Sequence, residues 1–352
     1  MGKIGDFQMS RITQVLLTEI GKFEVIETEL PQLADDEVLV TVKNCGICGS
    51  DFHAYTGEMP FMKPPLVLGH EFSGVVDSVG ADVEGIEPGM RVTVEPSLVC
   101  HECLNCTTGN YHACEKLRVI GCQSVGAYAE KIIVPAERIH ILPDEVDFEC
   151  GALVEPAAVG VHVVKRSGGV QGKNVAVLGA GPIGLMTARV AQTSGAKNVI
   201  ITDIDDFKLS MAKKLGLLHT VNVQKESFED KVLEVFGKLG PDIWFECVGS
   251  GPTINQAINL ARRSTTIVMV GVVPRNQVIE NMAYVQEHEL TVIGCLIYNR
   301  EDFAKAINLF KQGKIKKDAV ITHRFNFTDA AEAFALIEGK KENCLKVMLC
   351  ME

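Results

Sequence analysis

Residues 174–184 read NVAVLGAGPIG, and the residues after them, LMTARVAQ, continue at helical spacing. A short apolar strand therefore runs into a glycine turn that opens a helix. The spacing of Gly179, Gly181 and Gly184 is G-x-G-x-x-G, which by itself is a weak signal. Its context, strand before and helix after, is the one in which such a turn cradles a pyrophosphate. Gly179 allows the tight turn, Gly181 lets a phosphate approach the backbone, and Gly184 allows the helix to pack closely on the strand. The helix N-terminus adds N–H donors and positive potential.

Working outward, apolar runs alternate with helical patterns from Asn174 to about Leu296: NVIITD, HTVNV, DIWFEC, TTIVMVG and LTVIGC follow the first strand. Near-continuous apolar strands fit a parallel sheet covered on both faces, so six of them predict an α/β, doubly wound domain with a six-stranded parallel sheet. Asp203 ends the second strand at about the ~20-residue offset of a ribose-binding carboxylate. Accepting both ribose hydroxyls, it favours NAD and repels the 2′-phosphate of NADP. Lys208 is the nearest cation and is placed over the adenosine ribose.

Upstream the pattern is different. Alternating runs at 11–17, 23–27, 37–43, 72–79, 90–95 and 128–134 are punctuated by Gly and Pro, which predicts a compact, barrel-like β domain. A helix is expected over 156–166, with Pro156 at its first position. The tail predicts two amphipathic helices, the first marked by Phe303, Ala306, Ile307 and Phe310, the second capped by Thr328 and ended by Gly339. The strand-like run 345–349 is expected to return to the β domain. The 352 residues suit two domains: 1–160, completed by 300–352, and 161–299.

Composition narrows the partners. Lys plus Arg is 34 against 45 for Asp plus Glu, a net charge of -11, which repels phosphate backbones and argues against nucleic acid. No apolar run approaches the ~20 residues of a membrane span. The opening decapeptide MGKIGDFQMS lacks the apolar block of a secretory signal. The expectation is a cytoplasmic protein with no membrane partner.

Four of the 12 cysteines, Cys100, Cys103, Cys106 and Cys114, stand as C-x2-C-x2-C-x7-C. Four thiolates satisfy a tetrahedral zinc with no open position, which describes a structural site. A ferredoxin-like cluster competes, but its last spacing is usually shorter and followed by Pro; here Glu115 follows. Three further segments hold the ingredients of a catalytic zinc: GICGSDFH at 46–53, GHE at 69–71 and LVEP at 153–156. Such a zinc needs three or four N, S and O ligands and a position left for substrate. Cys48, His70 and one or both of Glu71 and Glu155 supply that mixture, while Cys45 reads as a small buried residue.

Taken together, CGICGSDFH, GHEFSGVV, the cysteine loop, LVEPAAVGVH, VLGAGPIG, VITHRF and the closing strand resemble the zinc-dependent medium-chain alcohol dehydrogenases. The branch they are most similar to is the sorbitol (polyol) and threonine dehydrogenases. The resemblance implies a GroES-like β-rich catalytic domain, built from both chain ends, around a Rossmann domain. It implies Cys48, His70 and Glu71 as catalytic zinc ligands and Glu155 as a glutamate that ligates the zinc or holds its water or substrate. It implies a proton relay through Ser50 and His53, and a second, structural zinc on Cys100, Cys103, Cys106 and Cys114. Ile183, Val270, Gly271, Cys295 and Leu296 join the glycine loop as cofactor contacts. The implied reaction passes a hydride from a secondary alcohol to NAD, giving the ketone, in a homodimer or homotetramer.

Two positions depart from the sorbitol pattern. The Arg-Tyr pair that contacts the substrate chain is here Ile297-Tyr298, and the aromatic residue after the relay histidine is Ala54, with Tyr55 one further. Both changes remove groups that would handle polyol hydroxyls. A different polyol, a sugar acid, a sugar phosphate, threonine or a vicinal diol remain open.

Overall fold

The computed structural model describes residues 11–339 and 343–351; the opening decapeptide lies outside the described residues. The chain forms two compact units. The first comprises 1–100, 116–153 and 323–352; the second comprises 101–115 and 154–322.

The first unit is β-rich. Its central strand, Glu37–Gly46, pairs antiparallel with Glu71–Val79 on one side and with Lys131–Pro135 and Lys346–Cys350 on the other. The closing strand thus returns to the β domain, as expected of the strand-like run 345–349. A smaller sheet runs Lys22–Glu29, Arg11–Glu19, Leu66–Val67. The strands alternate because one face is buried: Val38, Val40 and Val42 are at most 1% exposed and meet Phe72, Val76 and Val92 in one core. On the short helix Gly49–Tyr55, Phe52 and Tyr55 lie against the buried Phe334 at ring distances of 6.4 and 5.2 Å, and Tyr55 stacks on Phe23 at 5.5 Å. Each such aromatic pair contributes ~0.5–1.5 kcal/mol beyond its buried area. Together they fix the helix that carries Ser50 and His53, so Tyr55 has a packing role.

The second unit contains a six-stranded parallel sheet in the order His219–Asn222, Asn198–Asp203, Asn174–Leu178, Ile243–Glu246, Thr266–Met269, Thr291–Gly294. In chain order this is 3-2-1-4-5-6, the doubly wound arrangement with its switch point beside the first strand. The first and fourth strands are buried at every residue, which is why they read as unbroken apolar runs.

Two helix starts differ from expectation. Val154–Arg166 begins before Pro156, because Pro156 falls within the first turn, where a missing N–H also costs no intrahelical bond. In the tail, Asn326, not Thr328, accepts the capping bond from the Thr328 N–H, and a single 3-10 turn precedes the helix Ala330–Gly339. Among the described residues, no helix is long and apolar enough to cross a membrane.

Candidate active site and metal centres

The strand Glu37–Gly46 delivers the chain to Cys48, which caps the helix Gly49–Tyr55. Asp51, at the third helical position, accepts the Cys48 N–H through Oδ2 at 2.9 Å. The same oxygen accepts the Tyr128 hydroxyl at 3.1 Å. Asp51 is fully buried, and its Oδ1 stands 3.4 Å from His70 Nδ1. That separation marks a charge partner more than a well-formed hydrogen bond, as both atoms lack a hydrogen-bond partner. With Nδ1 turned to a carboxylate, Nε2 is the nitrogen left to ligate a metal. Ser50 Oγ is 3.5 Å from that Nε2.

Cys48, His70 and Glu71 each bring one ligand atom to within 4.8 Å of the others. Gly46 pairs across the sheet with Glu71, and a Cβ there would stand 2.3 Å from Glu71 Oε2. Only glycine leaves the carboxylate its place. Lys346, on the closing strand, donates to both Glu71 oxygens and to the Ile47 carbonyl.

The charge around this cluster suits a cation. Burial works against protonated His70, yet Asp51 and Cys48 outweigh it and raise its pKa well above the ordinary value. A proton held there by surrounding negative charge is one a bound metal would displace. Soft thiolate, imidazole and carboxylate are the donor set of zinc, and three protein ligands leave a coordination position for substrate.

His53 lies four residues into the same helix with its side chain 49% exposed, and its Nδ1 is 2.6 Å from Glu58 Oε2. It faces solvent, where a relay must end.

The four-cysteine group is also assembled: all four sulfurs lie within 4.8 Å of one another. Cys103 Sγ is 3.5 Å from Cys106 Sγ and 4.0 Å from Cys114 Sγ. A tetrahedron with Zn–S bonds of ~2.3 Å has S–S edges of ~3.8 Å, so the group fits zinc.

In the second unit, Gly179 has φ +94°, and a Cβ on Gly184 would stand 1.8 Å from the Gly179 carbonyl. A Cβ on Gly181, by contrast, would meet nothing within 4 Å. The backbone there borders open space at the start of the helix Pro182–Thr193, as a phosphate cradle requires. Asp203 Oδ2 accepts the Ala180 N–H at 2.8 Å, so the carboxylate is anchored to the glycine loop. Val270, Gly271, Cys295 and Leu296 follow the carboxyl ends of the last two strands, the edge of a doubly wound sheet at which ligands bind. Ile183 stands in the first turn of the helix after the loop, and Lys208 lies half-buried on the helix Asp206–Lys214. Burial pushes the Cys295 thiol up to about 12, which leaves it unreactive.

Glu155 is buried near the start of the helix Val154–Arg166, and Tyr298 Oη donates to its Oε1 at 2.6 Å. Asp51, Lys346 and this use of Tyr298 escape sequence reading. Lys346 did leave a trace, as a cation inside an otherwise apolar strand-like run.

Comparison with known proteins agrees with the architecture. The family described as Alcohol dehydrogenase GroES-like domain matches residues 34–144, and the family described as Zinc-binding dehydrogenase matches 182–312. The chain is 31% identical over 329 residues to a sorbitol dehydrogenase of Bacillus subtilis (strain 168), covering 92% of this chain and 93% of that one. It is 36% identical over 329 residues to a D-arabitol-phosphate dehydrogenase of Enterococcus avium, covering 92% of each. The crystal structure of a Sinorhizobium meliloti 1021 protein bound to NADP superposes with a TM-score of 0.88 at 32% identity, over 97% of this chain and 99% of that one. The doubly wound sheet, the gathered Cys, His and Glu side chains and these relatives agree: the chain belongs to the zinc-dependent medium-chain alcohol dehydrogenases.

Proposed function

We propose that this protein oxidises a secondary alcohol of the polyol, sugar-acid or sugar-phosphate type to the ketone, with NAD as hydride acceptor. The observation that carries the reading is the gathering of Cys48, His70 and Glu71 beside the Ser50 hydroxyl. The structural unit with the parallel sheet is the NAD-binding domain in this reading, and the β-rich unit is the catalytic domain.

Cys48, His70 and Glu71 would hold the catalytic zinc, with Glu155 as a further ligand or as the group that holds water or substrate. Zinc supplies Lewis acidity there, which favours negative charge on an alcohol oxygen and so eases hydride departure. Ser50 Oγ takes the alcohol proton and passes it outward, and His53 releases it to solvent while Glu58 steadies its Nδ1. Asp51 fixes the His70 ring. Cys100, Cys103, Cys106 and Cys114 would hold the structural zinc.

NAD is favoured over NADP on the strength of Asp203. The Sinorhizobium relative is bound to NADP, so the preference is an inference from this chain's own carboxylate. Ile297 in place of an arginine weighs against sorbitol itself and keeps a threonine or vicinal-diol substrate as the second reading.

A cytoplasmic location is the reading we give the C-x2-C-x2-C-x7-C loop, since clustered cysteines serve metal rather than disulfides in a reducing compartment. A homodimer or homotetramer is supported by the edge strand Thr291–Gly294, where Val292 is 44% exposed, and by Val272, Val278 and Met282 at 77, 71 and 57%. An uncovered edge with apolar side chains is a template for a second copy.

The test is a panel of secondary alcohols read by NADH absorbance, run with Cys48→Ser and Cys103→Ser. Cys48→Ser should abolish turnover and leave one zinc per subunit; Cys103→Ser should lower the melting temperature, because a closed thiolate site contributes to folding. Normal turnover in Cys48→Ser would end the proposal.

A further inference from the structure

Two buried side-chain pairs tie the helix Val154–Arg166 to the start of Arg300–Lys311, beside the outer ion pairs of Lys165 with Glu301 and Asp302. Glu155 and His162 lie seven residues apart on Val154–Arg166, two turns and therefore one face. Tyr298 stands two residues before Arg300–Lys311 and Asp302 in its first turn. Tyr298 Oη donates to Glu155 Oε1 at 2.6 Å, and His162 Nδ1 meets Asp302 Oδ2 at 2.7 Å. All four side chains are buried.

The local backbone is built for this arrangement. Ile297, just before Tyr298, has φ +40°. A β-branched residue in that region is strained, and such strain persists only where the surroundings impose it. It occurs where the chain turns Tyr298 inward. Immediately afterwards Asn299 and Asp302 form a capping box, so Asp302 both caps its own helix and binds His162. The four-cysteine loop rests on this frame as well: the His112 ring lies 4.7 Å from His162, and Tyr111 accepts the Arg300 N–H.

We propose that Tyr298 is a positioning residue for Glu155. Its hydroxyl fixes Oε1 and so sets the plane of the carboxylate, while the His162–Asp302 pair holds the two helices in register. The inference rests on the reading that Glu155 serves the reaction. It differs from the substrate-contacting role of the matching tyrosine in sorbitol dehydrogenases, because here the hydroxyl is engaged within the chain. A misplacement of ~1 Å in a reacting group can cost ~10²-fold, so holding one carboxylate oxygen has a kinetic consequence.

The experiment is a double-mutant cycle on the zinc-loaded protein with Tyr298→Phe and Glu155→Ala, read by kinetics and by thermal melting. In the native background Tyr298→Phe should lower kcat about tenfold and leave KM for NAD within about twofold. In the Glu155→Ala background the same change should alter kcat by less than about twofold, because the group it positions is gone. The drops in melting temperature should likewise fail to add. An equal loss of kcat in both backgrounds would overturn the proposal, since Tyr298 would then act on its own. A raised KM for the alcohol at unchanged kcat would overturn it in favour of direct substrate contact. Additive melting shifts would show that the bond does not exist. Native turnover in Glu155→Ala, with melting shifts still non-additive, would instead remove the catalytic role given to Glu155 and the positioning role with it.

Discussion

Lys346 Nζ lies 2.8 Å from one carboxylate oxygen of Glu71 and 2.7 Å from the other, with Lys346 3% and Glu71 1% exposed. The pair joins the closing strand Lys346–Cys350 to the strand Glu71–Val79 at its first residue. Removing one member of a buried ion pair leaves the other uncompensated and typically costs ~3–5 kcal/mol. Lys346→Met should therefore lower stability by about that amount in urea unfolding. The double variant Glu71→Gln/Lys346→Met should be more stable than Lys346→Met alone. A single variant as stable as the native protein would show that the pair carries no such burden.

Asp203 should set the cofactor preference. Like charges brought together cost several kcal/mol, so Asp203→Ser should shift the ratio of kcat/KM for NAD and NADP by about tenfold or more toward NADP. The anchor to the Ala180 N–H would be lost in the same variant, so activity with NAD should fall too. Equal efficiency of the native protein with both cofactors would refute the role.

The His162–Asp302 pair gives a pH dependence. Burial opposes ionisation of Asp302, but the hydrogen bond with His162 and the nearby charges hold its carboxyl below the ordinary 3.8. A depressed folded pKa means stability that is present above the unfolded value and lost as pH falls through the folded one. The stability gap between the native protein and Asp302→Asn should hold steady from pH 7 to about pH 5 and narrow below about pH 4. A gap that widens with acid would contradict the sign.

The six strands of the doubly wound sheet, the glycine loop and the four-cysteine group were legible because each depends on short-range spacing. NVAVLGAGPIG carries its own strand, turn and helix, and four cysteines within fifteen positions need little else to meet. Asp51 was not legible: an aspartate three residues after a cysteine reads as surface until Tyr128, 77 positions away, closes over it. The Glu155–Tyr298 bond joins residues 143 positions apart, and nothing in either segment announces the other. The Thr328 cap failed for a local reason, since Asn326 stands two residues earlier and is the better acceptor.

The relay through His53 gives the last prediction. The proton of the alcohol must leave a site that closes against water. Ser50 Oγ lies 3.5 Å from His70 Nε2, and His53 stands one helical turn beyond Ser50 with about half of its side chain in solvent. The inner and outer ends of the proposed relay are thus on one short helix. Loss of a general acid–base group commonly costs ~10²–10⁴-fold, but a shuttle this exposed can be partly replaced by water or buffer. His53→Gln should accordingly lower alcohol oxidation near neutral pH by about tenfold, toward the weak end of that range. Imidazole buffer should restore part of the rate, because it supplies the missing base from solution. Zinc content should be unchanged, since His53 is not among the gathered ligands. Glu58→Gln, which removes the partner of Nδ1 but leaves the imidazole, should cost less than His53→Gln. A pH–rate profile of His53→Gln that overlays the native one would assign His53 to the surface and route the proton elsewhere.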